Sequence, residues 1–374
     1  MAKGRNRHDW PGADIGSQRL RPMRRHLESA KVQALHKAWS LPGGHMRRRE
    51  FIRLISGSAA LWSLAAHAQQ PDRKRHIGVL MGIADDDPEA KPRVEAFEKG
   101  LQELGWTEGR NIHLDYRWTA GDPDRTLLFA KEIFELRPDV ILVHSSPAVA
   151  ALRQLTSKIP LVFVLIADPI GSGFVQSLAH PGGNATGFMN AEATMAGKWL
   201  GLIKEIVPKI ERVALIYNPR TSPYHSYLRE FGTTAEQFKI QAIPTPVLDA
   251  AELEHALQAL GREPNSAFFV VPDVFVQVHR ALIIRLAEEY RLPAIYPYRF
   301  FPTSGGLLSY GFDTVNAFRQ AASYVDKIMK GVAPADLPVQ APAIFKMVVN
   351  LKTARAIGLT IPESFLVHAD EVID

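Results

Sequence analysis

The 374-residue chain has no cysteine. That absence excludes disulfides, thiolate metal sites, a cysteine nucleophile and a lipid-modified N-terminal cysteine. Signatures of enzyme chemistry are also missing. Neither G-x-S-x-G nor H-E-x-x-H occurs. Gly171-Ser172-Gly173 has Gln176 where a dinucleotide loop needs a third glycine. Gly197-Lys198 lacks the earlier glycine and the following Ser or Thr of a phosphate-binding loop. The 13 histidines are scattered. We therefore expect no catalytic residue, no metal and no cofactor.

Positive charge is scarce where a polyanion would need it. The net charge is +5. Residues 1–45 hold nine Lys or Arg against three acids, and residues 46–68 hold four against one, which leaves residues 69–374 four units negative. A mildly acidic body excludes a nucleic-acid surface. Residues 1–45 are basic, Pro/Gly-punctuated and weakly periodic, and read as a disordered extension or as translation assigned upstream of a start at Met46. From Met46, Arg47-Arg48-Arg49 precede a short apolar run of small residues at 54–66 and Ala66-His67-Ala68. A basic start, a short apolar segment and a small-residue site make a secretory signal peptide, cleaved near Ala68-Gln69. Arg48-Arg49 before Glu50-Phe51-Ile52 resembles a twin-arginine signal. The alternative is general secretion. Either route exports the chain to the periplasm.

What is present is a repeated alternation of strand and helix patterns. Residues 139–144 and 160–167 are apolar, β-branched runs, with a helix-forming stretch at 148–157 between them. Strand, helix, strand implies a parallel pair with a right-handed crossover. Further strands are expected at 76–81, 111–118, 211–217, 240–247, 266–271, 293–296 and 344–351. Helices are expected at 92–104, 123–137, 170–179, 194–207, 223–238, 250–260, 276–291, 313–330 and 352–357. Extended segments near 184–190, 305–312 and 334–344 are candidate crossings. The pattern predicts an α/β protein of two doubly wound, Rossmann-like lobes joined by a three-segment hinge. Lobe 1 takes 76–187 and 311–335. Lobe 2 takes 188–310 and 340–374. Ligands of such sheets lie at the carboxyl ends of the strands, and clefts between domains favour small molecules.

Candidate ligand contacts follow from those strand ends. Ser145 and Ser146 precede Pro147, a good first helical residue, so hydroxyls and helix N–H groups meet there. Asp168 ends the next strand, and Asp273 ends a strand of the second lobe. Together they suit a zwitterion, its carboxylate on the helix start and its ammonium between the acids. Tyr217, Tyr296 and Tyr310 end strands of the second lobe and are expected to cover an apolar or aromatic side chain.

Longer stretches carry a family resemblance. FEKGLQELGWTEGRNIHLDYRW at 97–118, IPLVFVLIADPIGSGFVQSLAHPGGNATG at 159–187, RLPAIYPYRFF at 291–301, GGLLSYGFD at 305–313 and VVNLKTARAIGLTIP at 348–362 are the most telling. The chain resembles the type I periplasmic substrate-binding proteins of ABC transporters, in the branch related to tryptophan- and tyrosine-binding proteins. Relatives often have Gly or Thr where Ser145-Ser146 precede Pro147. The resemblance implies a non-enzymatic, monomeric binding protein for an aromatic amino acid or related carboxylate, with ABC permease subunits in the inner membrane as partners. A ligand sensor for a membrane receptor kinase would use the same fold.

Overall fold

The computed structural model describes residues 74–190 and 192–374. The expected N-terminal extension and signal peptide lie outside the described residues. Among these residues no helix is long and apolar enough to cross a membrane.

The first sheet contains β1 (Arg75–Met81), β2 (Ile112–Trp118), β3 (Val140–His144), β4 (Leu161–Ile166) and β5 (Ala185–Met189), in the order β2-β1-β3-β4-β5. All its pairings are parallel. Its inner strands are apolar on both faces, as strands buried on both sides must be. Ile77, Val79 and Met81 enter one core, while Leu80 enters the other. Helix α1 (Ala90–Glu103) covers the first face. Helices α2 (Pro123–Glu135) and α3 (Ser146–Leu155) cover the second. The start of α2 is fixed by Asp122, whose side chain accepts from the Arg125 N–H, and by Pro123 in its first turn.

The second sheet has seven strands. Its core pairs β6 (Arg212–Tyr217) with β7 (Gln241–Pro246) and with β8 (Ser266–Val270), both parallel. Then come β9 (Ala294–Tyr296) and β10 (Leu308–Gly311), also parallel. β11 (Lys346–Asn350) runs antiparallel to β10, and β12 (Glu371–Ile373) closes the edge. One face is packed by α4 (Met195–Ile206) and α5 (His225–Gln237). The other is packed by α6 (Ala250–Gly261), α7 (Val274–Val278), α8 (Arg280–Glu289) and α9 (Phe300–Thr303). Helix α10 (Thr314–Met329) returns to the first sheet. Its Ala317, Phe318, Ala321, Ala322 and Val325 share the core of Ile77 and Phe97. Two short helices, α11 (Leu351–Ala356) and α12 (Glu363–Leu366), end the chain. The architecture is α/β, with two doubly wound lobes.

The chain passes between the lobes after β5, after β10 and before β11. The last passage is stitched to the first. The Gln340 N–H donates to the Gly187 carbonyl at 2.8 Å, and the Met189 N–H donates to the Gln340 carbonyl at 2.9 Å.

Two expected helices differ. Residues 170–179 form successive turns, not a helix. Asp168 accepts from the Gly171 N–H at 2.8 Å, and Gly173 has φ +69°, which a right-handed helix cannot continue through. The helix expected at 276–291 is broken into α7 and α8 at His279, whose ring packs on Phe275 at 4.5 Å. The short elements α9, α12 and β12 carry too few residues for periodicity to show.

Candidate functional site

The strand ends of the two lobes meet. Past β1, Asp87 accepts from Arg280 of α8. Past β4, Asp168 Oδ2 accepts from the Ser226 hydroxyl of α5 at 3.2 Å. Past β5, the Asn190 amide donates to the Pro272 carbonyl at 2.9 Å. These contacts bring the carboxyl edges of both sheets face to face, with the candidate cleft between them.

Ser145 lies at its wall with φ +93° and ψ 145°. Such a conformation costs a non-glycine residue about 1–3 kcal/mol and collects at functional sites. Its side chain presses on Gly82, where an added Cβ would lie 2.8 Å from Ser145 Oγ. Ser146 is buried at the start of α3, which carries no side-chain cap. Asp168 is half-buried with φ +21°. Asp273 is buried and saturated by its own lobe. Its Oδ1 accepts from the Phe275 N–H at 2.8 Å, capping α7. Its Oδ2 accepts from the Tyr224 hydroxyl at 2.6 Å and from Thr221 Oγ1. Burial pushes its carboxyl up from the usual range, and these hydrogen bonds oppose the shift. Tyr217 meets Tyr224 edge-on at 5.8 Å.

The other two tyrosines serve packing. Tyr296 is wholly buried, stacked at 4.5 Å on Phe301 in the second lobe's core. Tyr310 stacks on Phe345 at 5.7 Å, and its carbonyl accepts from Trp199 Nε1 at 2.9 Å. The structure thus places Ser145, Ser146, Asp168, Tyr217 and Asp273 at the facing strand ends, and Tyr296 and Tyr310 in side-chain stacks of lobe 2.

Sequence reasoning missed Arg93, His144, Asn190 and Tyr298. All four are buried. Arg93 Nη1 donates to Gln277 Oε1 at 3.0 Å across the lobes, and its guanidinium lies about 6 Å from the rings of Phe300 and Phe318. His144 Nδ1 accepts from the Gly82 N–H at 3.2 Å, which leaves the ring proton on Nε2. Burial and then the Arg93 charge hold this imidazole well below the usual range. Burial lowers Arg93 too, with Glu89 acting against it. The signal was available in α1. Arg93, Phe97 and Leu101 recur every fourth residue on its buried stripe. A charge on such a stripe needs a partner.

Away from the cleft, His76, His113 and Asp115 bring ligand atoms within 4.8 Å of one another. Each imidazole there already has a carboxylate partner, His76 with Asp115 and His113 with Glu108.

Known proteins resemble this chain in sequence and fold. The sequence pattern of the family described as ABC transporter substrate binding protein matches residues 76–373. A tyrosine-binding protein of Clostridioides difficile (strain R20291) is 24% identical over 289 residues, 77% of this chain and 82% of the relative. A conserved domain protein from Vibrio cholerae has 27% identity and a TM-score of 0.75, covering 80% of this chain and all of its own. An ABC domain in complex with L-Trp from Streptococcus pneumonia has 25% identity and a TM-score of 0.73, with the same coverage.

Proposed function

The chain belongs to the family of ABC transporter substrate-binding proteins, and from that premise we propose that it captures an aromatic amino acid or a related carboxylate between its lobes. Proteins of this family are not enzymes. They bind a small molecule and work with the permease subunits of their transporter. The observation that carries the reading is the hydrogen bond from Ser226 to Asp168, which joins the start of α5 in one lobe to the end of β4 in the other. Contacts of this kind form only as the lobes approach, so a ligand that bridges the lobes favours their approach.

In this reading Asp168 receives the ligand's ammonium at the cleft edge, and Ser145 and Ser146 face its polar end at the start of α3. Tyr217 borders the apolar part, and Asp273 shapes the wall through Tyr224. The named ligands of the tyrosine-binding relative and of the L-Trp complex support the aromatic class. A thermal-shift screen of the 20 amino acids and simple aryl carboxylates tests it, since a native-state ligand raises Tm. L-tyrosine or L-tryptophan should give the largest rise. A rise confined to aliphatic or sugar ligands would overturn the aromatic assignment.

We read residues 46–68 as the export signal, so the periplasmic protein begins near Gln69 and acts there as a monomer. N-terminal sequencing of periplasmic protein checks the cleavage. Export that survives Arg48→Lys with Arg49→Lys assigns the general secretory route.

A further inference from the structure

We propose that Arg93 and His144 form the anion-recognition corner of the cleft, taking the carboxylate of the bound molecule. This rests on the reading of the cleft as the ligand site and deepens it.

The guanidinium of Arg93 has no solvent exposure, yet Nε and Nη2 have no hydrogen-bond partner among the described residues. Glu89 Oε2 forms an ion pair with Nη2 at 3.6 Å, a separation too long for a hydrogen bond. Arginine does not escape such a site by deprotonating. The neutral His144 ring offers a second unpartnered donor, Nε2–H, and is likewise wholly buried. Both groups border the ring of Phe318, at 5.8 Å for His144 and 5.9 Å for Arg93. The Tyr298 hydroxyl lies within the electrostatic reach of Arg93. A buried donor left unmade is costly, more so when charged.

The chemistry of this set is one-sided. Two nitrogens of a cation, Nε and Nη2, and one imidazole N–H make no hydrogen bond, in a region lined by aromatic rings. A planar carboxylate suits the fork of a guanidinium and accepts two or more such bonds. An ammonium would be repelled. The corner is built from both lobes, because Arg93 on α1 is held by Gln277 on α7. It adjoins the start of α3, since the Gly82 N–H that holds His144 lies against Ser145. The ligand therefore points its carboxylate toward Arg93 and leaves Asp168 to an ammonium where one is present.

The test uses three probes by calorimetry: L-tryptophan, tryptamine, which lacks the carboxylate, and indole-3-acetate, which lacks the ammonium. In the wild type, tryptamine should bind at least tenfold more weakly than L-tryptophan. Arg93→Gln should lose at least tenfold toward L-tryptophan and indole-3-acetate but not toward tryptamine, and Arg93→Lys should recover part of the loss. Indole-3-acetate binding in an Arg93-dependent way without L-tryptophan binding would remove the amino-acid reading and keep the anion corner. Equal affinity of Arg93→Gln and wild type for the carboxylates would overturn the corner and keep the cleft. A probe-independent arm is thermal unfolding of Arg93→Met without additives. Because Nε and Nη2 make no hydrogen bond, the loss of the guanidinium should leave Tm within a few degrees of wild type. A Tm several degrees lower would make Arg93 a structural tie between the lobes and overturn the proposal.

Discussion

Arg280 Nη1 donates to Asp87 Oδ2 at 2.7 Å, tying α8 of the second lobe to the segment after β1 in the first. The pair is well shielded, with 18% and 9% of the two side chains exposed. It is a charge-assisted bond made between lobes, so it weights the population in which they touch. Asp87→Asn should weaken ligand binding by roughly 3- to 30-fold, mostly through faster dissociation. Stopped-flow fluorescence reads the rate. Small-angle scattering should show that saturating ligand lowers the radius of gyration of the wild type. An unchanged dissociation rate in Asp87→Asn would deny the pair any part in closure.

The two cleft carboxylates should behave differently. Asp273 satisfies Thr221, Tyr224 and the cap of α7, so Asp273→Ala should lower folding stability by about 2–4 kcal/mol. Asp168 is half-buried, with one turn bond and one bond to Ser226. Asp168→Ala should cost about 1 kcal/mol of stability and at least tenfold in affinity for an amino acid. Denaturant titration and calorimetry on the same samples separate the effects. A stable Asp273→Ala protein would contradict its structural role.

His144 makes stability depend on pH. An unfolded histidine titrates near about 6.5, whereas burial holds the folded ring below that. As pH falls below about 6.5 the unfolded chain takes up a proton that the folded chain refuses, so stability is lost by up to about 1.4 kcal/mol per pH unit. Asp273 acts with the opposite sign. Its raised carboxyl stabilises at low pH, and that contribution is lost as pH rises through its folded value. Chemical denaturation of the wild type and His144→Gln between pH 5 and 7 isolates the histidine. The slopes should differ in this window, with the variant the flatter.

Gly311 ends β10 just before the chain leaves for α10. An added Cβ there would lie 1.7 Å from the Pro297 carbonyl oxygen, a backbone atom that cannot move alone. Gly311→Ala should therefore lower Tm by several degrees or prevent accumulation of folded protein. Circular dichroism melting decides this.

Most of the fold could be read from periodicity, because the central strands are apolar on both faces and the helices are amphipathic. Boundaries slipped where one side chain outcompeted the helix. At Asp168 a carboxylate took the Gly171 N–H and turned the chain. The site was legible only in part. Strand ends can be found by counting, so the positions of Ser145, Asp168 and Asp273 just after β3, β4 and β8 were within reach. Which face a strand-end aromatic occupies depends on neighbours distant in sequence, and Phe301 and Phe345 drew Tyr296 and Tyr310 into packing. Arg93 was hidden because its helix looked ordinary apart from one charge on an apolar stripe.

Helix α10 is made late but is needed early. Residues 314–329 shield the face of the first sheet built from residues 77–164. A growing or threading chain that has emitted the five strands of that sheet, ending at Met189, still has 125 residues to go to the first residue of α10, Thr314. Until then Val79, Leu142 and Val164 have only α1 to cover them, in a half-finished parallel sheet. Long separations of this kind slow folding and expose sticky surface. Assembly of the first lobe is consequently tied to completion of the second, and a fragment ending before residue 314 would aggregate instead of folding as an independent half.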